Sequence, residues 1–137
     1  MRDIQQDWLS ALKPNFKILP LKERLFCSIG ALCGLAISSL ISWYVLGGIN
    51  PWYIAPMGAS SVLLFAVPSS PLAQPWNMLI GNTIAATVGV ACSTWIPDLT
   101  SAFSLAVGLT IFLMMTSDSL HPPSGAVAIT AVLGGEA

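Results

Sequence analysis

Apolar runs alternate along the chain with short polar or proline-rich breaks, and the runs are long. Leu25 to Gly47 is an unbroken apolar stretch long enough to cross a hydrocarbon core of about 30 Å, and Trp43 and Tyr44 close it. A Gly47–Pro51 turn follows, then a shorter run, Trp52 to Val67, interrupted by Pro56 and predicted to be a tilted or broken helix. Pro68, Pro71 and Pro75 forbid a continuous helix through the next linker. Trp76 to Ile96 makes a third span in which Gly81, Ala85, Gly89 and Ser93 recur every four residues, a smooth face for close backbone approach. Leu99 to Thr116 makes a fourth, and Ser124 to Gly135 a final stretch too short to cross alone. The pattern predicts an all-α integral membrane protein of four to five transmembrane or half-membrane helices with Pro-broken segments. Residues 1–24 form a polar N-terminal segment and 25–137 the transmembrane domain.

Charge sharpens this picture. Only 8% of the residues are charged and 55% are hydrophobic, and no Asp, Glu, Lys or Arg occurs between Arg24 and Asp98. Such a chain has no soluble surface to build, so lipid is its solvent. All five basic residues precede the first long run, which predicts a cytoplasmic N-terminus. Trp8, Leu9 and Leu12 predict a short amphipathic turn on the membrane surface. Trp43, Tyr44, Trp52, Tyr53 and Trp95 fall at the outer ends of this threading, Trp8 and Trp76 at the inner ones. A net charge of −1 leaves no basic face for nucleic acid. The first run is too long and begins too late for a secretory signal, and no transit peptide is evident, so the bacterial inner membrane is the expected location. Cys27, Cys33 and Cys92 read as small buried residues without metal-ligand spacing, and neither a metal nor a cofactor is expected.

Tyr53–Ala59 and Leu120–Ala126 share the pattern Pro-x-Gly-Ala before an apolar run. In the threading above the first copy starts from outside and the second from inside, as in an inverted repeat.

Candidate chemistry gathers at the breaks. His121, the single histidine, lies three residues from Asp118 beside Pro122 and Pro123. Ionisable groups at membrane depth are functional candidates, so the pair is assigned to proton coupling or gating, with capping of helix ends as the alternative. With no Lys or Arg inside the membrane, an anion would be held by helix N-termini after Pro56 and Pro123 and by neutral donors. The donors nearby are Ser60 and Ser61, Gln74 and Asn77, Asn82 and Thr83, and Ser124. A hydrolase is not expected. It would need Ser124 within reach of His121 and an oxyanion pocket, and no strained elbow motif accompanies them.

The run His121-Pro122-Pro123-Ser124-Gly125-Ala126 resembles the signature of the HPP family of small integral membrane proteins. Pro56-Met57-Gly58-Ala59-Ser60 and Ser70-Pro71-Leu72-Ala73-Gln74-Pro75-Trp76-Asn77 are similar to that family's pattern too, in the same order. Trp76 stands where many relatives have Arg, and Asn82 where many have His, so a basic group there does not transfer. Relatives usually continue with another hydrophobic segment, whereas this sequence stops at Ala137. The resemblance implies membrane transport, with plastid and cyanobacterial members associated with nitrite. The expected function is therefore a transporter or channel for a small inorganic anion, nitrite first. Its substrate-binding residues would be His121, Pro122, Pro123, Ser124, Gly125, Pro56, Gly58, Ser60, Asn77 and Asn82. A non-transporting scaffold or sensing module is the alternative. So small a bundle is expected to be a homo-oligomer, dimer or trimer, and the Gly30-xxx-Gly34 face offers a surface for self-association.

Overall fold

The computed structural model describes residues 19–48 and 51–134, the side chains of residues 51–53 excepted. The expected turn at Trp8, Leu9 and Leu12 and the side chains of Trp52 and Tyr53 lie outside that range. The described residues form five α-helices and a single 3-10 turn, with no strand. The helices are α1 (Leu21–Leu46), α2 (Pro51–Ala66), α3 (Pro75–Trp95), α4 (Leu99–Thr116) and α5 (Ser124–Gly134), and the 3-10 turn, Pro71–Ala73, lies between α2 and α3. Three of them, α1, α3 and α4, are long and apolar enough to cross a membrane. At about 1.5 Å per residue, α2 reaches roughly 24 Å and α5 roughly 16 Å, both short of a bilayer core.

Local chemistry sets the ends. Gly47 stops α1 in the left-handed conformation at φ 72, which a residue with a Cβ adopts at a cost. Pro75 opens α3 at a position whose N–H has no helical partner. Asp98 caps α4 by accepting from the Ser101 amide at 2.8 Å, and the hydrogen bonds from Ser101 hold its carboxyl below the ordinary carboxylate range.

Of the two expectations for this run, tilted or broken, the break at Pro56 does not form. The proline is buried inside α2, which runs through it from Pro51 without a break. The carbonyl deprived of an amide partner belongs to the helix's first turns, where the loss is a local one.

Helix directions follow from neighbours. Phe65 of α2 lies against Gly30 and Gly34 of α1, while Met57 and Ser60 share a cavity wall with Leu35 and Ser38, so the two helices are antiparallel. Gly81 of α3 faces Ser124 and Gly89 faces Ala128 and Ala131, so α3 and α5 run parallel. Pro56 meets Ala86 and Ala131 while Ser60 meets His121, which sets α2 against both. Helices α1, α3 and α5 therefore start at one end, called here the Pro-rich end, together with the loops at 67–74 and 117–123. The two Pro-x-Gly-Ala segments run in opposite directions, as an inverted repeat would, although one lies inside a helix and the other opens one.

The core is a seam of small residues at four-residue spacing. Gly81, Ala85 and Gly89 of α3 are buried against Ala128 and Val132 of α5, and Ala102, Ala106, Thr110 and Met114 of α4 complete it. The last step of the α3 stripe is Cys92 rather than Ser93, because 3.6 residues per turn pulls a four-residue stripe off the interface. Helix α1 has no buried residue and packs chiefly on α2. Its Gly30-xxx-Gly34 face is not open for self-association. A Cβ at Gly30 would meet the Phe65 ring at 2.7 Å, so that face receives the chain's own α2. Trp43, Tyr44 and Trp95 are exposed at the far end and Trp76 at the Pro-rich end, as interfacial aromatics are.

Candidate functional site

The Pro-rich end is closed by two loops folded over the bundle. The Ser117–Pro123 loop begins with Asp118 at φ 48, and Ser119 returns its amide to the Met114 carbonyl at 2.9 Å. Asn77 of α3 donates from Nδ2 to the Leu120 carbonyl at 2.9 Å, and the Trp76 indole donates to the Ser117 carbonyl at 3.4 Å. Gly81 has no Cβ because one would lie 2.8 Å from the Ser119 carbonyl and 3.1 Å from His121 and Ser124. These contacts drive His121 into the protein, where it is fully buried.

Both imidazole nitrogens are engaged. Nδ1 lies 3.0 Å from the Leu72 carbonyl in the 3-10 turn. A carbonyl only accepts, so Nδ1 carries a proton and donates it. Nε2 lies 3.1 Å from Ser60 Oγ of α2 and, in the neutral ring, accepts from that hydroxyl. Asp118 is exposed on the loop and is not brought to His121. In place of the expected Asp–His pair, the ring takes part in a carbonyl–His–Ser relay, with His121 buried and Asp118 exposed in a left-handed turn.

A second polar pair sits beside the first. Ser124, fully buried at the start of α5, donates to Asn82 Oδ1 at 2.8 Å. Asn82 is about 10 Å along α3 from its start at Pro75, and its amide Nδ2 is left for the space between α2 and α3. Two cavities meet there. One, of about 210 Å³, is bounded by Leu35 and Ser38 of α1, Ser60 and Phe65 of α2, and Met78 and Asn82 of α3. The other, of about 240 Å³, is bounded by Pro56, Ser60, Asn82, Ala86, Val127 and Thr130. Both share Met57, Ser60 and Asn82. Each is several times the roughly 30 Å³ that a water occupies.

The helix-start anion sites do not form. Pro56 lies within α2, so the amides after it belong to that helix. The amides after Pro122 are consumed by the loop itself: Ser124 bonds the His121 carbonyl at 2.9 Å, Gly125 that of Pro122 at 3.2 Å, and Ala126 that of Pro123 at 3.0 Å. Two consecutive tight turns fold the His-Pro-Pro segment back on its own helix and leave no N–H for a ligand.

Of the residues assigned to substrate, Pro56, Ser60 and Asn82 line the cavities, and His121 and Ser124 support them through one hydrogen bond each. Asn77 is taken by the loop, Pro122 is exposed, Pro123 is buried, and Gly58 and Gly125 face open space. Ser61 bonds the Gly58 carbonyl, Thr83 is exposed and bonds the Leu79 carbonyl, and Gln74 is exposed. Ser124 does not pair with His121 as a hydrolase on that serine would need. Two contributors escaped sequence reasoning. The Leu72 carbonyl has no sequence signature, whereas Thr130 was detectable as a hydroxyl within an apolar helix.

Comparison with known proteins agrees with this architecture. The chain is 36% identical over 135 residues to a transmembrane protein of Dictyostelium discoideum, an alignment covering 94% of this chain and 47% of the relative. A second Dictyostelium transmembrane protein is 41% identical over 87 residues, 61% of this chain and 28% of the relative. The chain thus spans about half or less of the length of the curated relatives it matches, and those relatives lend no support to a bacterial origin. No solved structure matches. The family model described as HPP, transmembrane region, matches residues 17–137, a stretch holding all the described helices, the loops at the Pro-rich end and the His121 relay, and the chain belongs to that HPP transmembrane family.

Proposed function

We propose that this chain moves a small inorganic anion, nitrite first, across the membrane by way of the two cavities that meet at Ser60 and Asn82. The observation that carries the reading is a pair of polar side chains, each hydrogen-bonded from behind, on the shared wall of two partly open cavities between the helices of an apolar bundle. A scaffold that moved nothing would favour a dry, filled interior, since unfilled space forfeits dispersion contacts. The substrate's identity rests on the family resemblance. The chemistry adds a constraint: the cavity walls are mostly apolar, with a few neutral polar side chains and no charged one, so a monovalent anion of weak hydration is favoured over a multiply charged one.

The reading includes no catalysis. Ser60 and His121 are in hydrogen-bond contact, but Ser60 lies in a helix interior and not on an exposed elbow, and the amide of Asn82 is the lone donor beside it. We further propose that the working form is a homo-oligomer, dimer or trimer, because α1 has no fully buried residue within one chain and most of its apolar side chains are exposed. The N-terminus is assigned to the cytoplasm on the placement of the basic residues.

Nitrite uptake into proteoliposomes holding the purified protein, with nitrate and chloride as competitors and a pH gradient imposed or removed, tests the reading. Flux that nitrite saturates and chloride does not suppress is expected. No flux from inserted, correctly oligomeric protein would favour the scaffold.

A further inference from the structure

The relay around His121 has an asymmetry that decides what a proton can do there. On one side the ring meets a carbonyl, which accepts and never donates. On the other it meets a hydroxyl, which can do either. Adding a proton to His121 therefore leaves the Leu72 bond unchanged and reverses the Ser60 bond. We propose that Ser60 is a switchable donor, and that its hydroxyl hydrogen is released to a monovalent anion in the cavity when His121 takes up a proton, so that anion and proton bind together. The inference rests on the transport reading and specifies the binding site within it.

The step balances. A hydronium ion from the aqueous phase gives a proton to Nε2 and leaves water, and the ring becomes an imidazolium whose Nε2–H now donates to Ser60 Oγ. The Ser60 hydrogen, no longer held by Nε2, turns toward the space that Ser60 and Asn82 both border. There it joins the Asn82 amide as a second donor. The anion's charge is matched by the imidazolium one residue behind it, and deprotonation of Nε2 reverses each step.

Few other titratable side chains surround His121. Among the described side chains, α2, α4, α5 and the 3-10 turn carry no titratable group. Helix α3 carries Cys92, ten residues beyond Asn82 on the buried seam. On its own loop the nearest is Asp118, which is exposed.

The chain has one histidine, so 15N-histidine labelling in lipid nanodiscs gives one imidazole to follow. Sodium nitrite should raise the pH midpoint of that imidazole, and sodium chloride at the same ionic strength should not. By reciprocity, apparent nitrite affinity should fall about tenfold per pH unit on the alkaline side of the midpoint. Ser60→Ala should abolish both effects, Ser60→Thr, which keeps the hydroxyl, should restore them, and His121→Gln should bind nitrite weakly and independently of pH. A midpoint that nitrite leaves unmoved, or moves equally in Ser60→Ala, overturns the proposal. If wild-type uptake persists with an unmoved midpoint, transport stands without this coupling. If neither binding nor uptake occurs at any pH, the transport reading fails and the coupling with it.

Discussion

Gly89→Ala is the sharpest test of the packing that holds the site. A Cβ at Gly89 would lie 2.5 Å from the Ala128 carbonyl oxygen and 2.6 Å from Ala131 Cβ. Neither contact belongs to a flexible side chain, so no rotamer relieves it and α5 has to recede. Reaching ordinary contact takes a shift of about 0.9 Å, and a gap of that size forfeits a quarter to a half of the dispersion attraction across the displaced face. That face includes Ala128 and Val132, and α5 begins at Ser124, which holds Asn82. Overpacking costs about 1–3 kcal/mol. A backbone carbonyl as the obstacle argues for the upper end, and better helix propensity returns about 1 kcal/mol. The net expectation is a loss of about 2 kcal/mol.

Gly108→Ala provides the control. It is the same chemical change inside another helix, α4, where a Cβ meets nothing within 4 Å. The propensity gain of up to about 1 kcal/mol should then appear alone. Thermal unfolding in detergent, followed by near-UV circular dichroism, should place Gly89→Ala several degrees below wild type and Gly108→Ala level with or above it. A Gly89→Ala protein as stable as Gly108→Ala would refute the close approach of α3 and α5.

Three further outcomes are expected. Thr110→Val should raise the unfolding temperature, because the Thr110 hydroxyl is buried without a partner and its removal relieves a desolvation cost of about 1–3 kcal/mol. Asn77→Ala should speed proteolysis or hydrogen exchange in the 117–123 loop, because it leaves the Leu120 carbonyl without the amide that holds it; unchanged protection there would show the clamp to be idle. A fluorophosphonate probe should leave Ser60 unlabelled at any pH, and labelling that His121→Gln abolished would reinstate the hydrolase.

Much of the fold was legible because lipid imposes a simple rule: an apolar run becomes a helix, and proline clusters mark the breaks. The run Leu99 to Thr116 matches α4 residue for residue. Pro56 misled because a proline early in a helix frees one carbonyl without ending the helix. The Gly30 and Gly34 face was legible as a site of close approach, but its partner was not, since Phe65 of the same chain serves as well as a second copy. At the site, His121, Ser60, Asn82 and Ser124 stood out as polar residues in apolar surroundings. Their pairing did not. Asp118 was the obvious partner for His121 by sequence distance, whereas the acceptor it uses is a backbone carbonyl 49 residues away.

The absence of Lys and Arg from the membrane region bears on how such a site would work. A fixed cation about 4 Å from a bound anion contributes roughly 4 kcal/mol at an effective dielectric near 20, about a thousandfold in affinity. A transporter has to release what it binds, and a well that deep slows release. Hydrogen bonds to a charged group contribute about 1.5–3 kcal/mol each, and the Asn82 amide alone would hold an anion loosely. The Ser60 hydroxyl adds a second bond in the protonated state of His121 and withdraws it in the other. A ring that is cationic while loading and neutral while unloading supplies attraction at the step that needs it, which a permanently charged Lys at the same depth would not do.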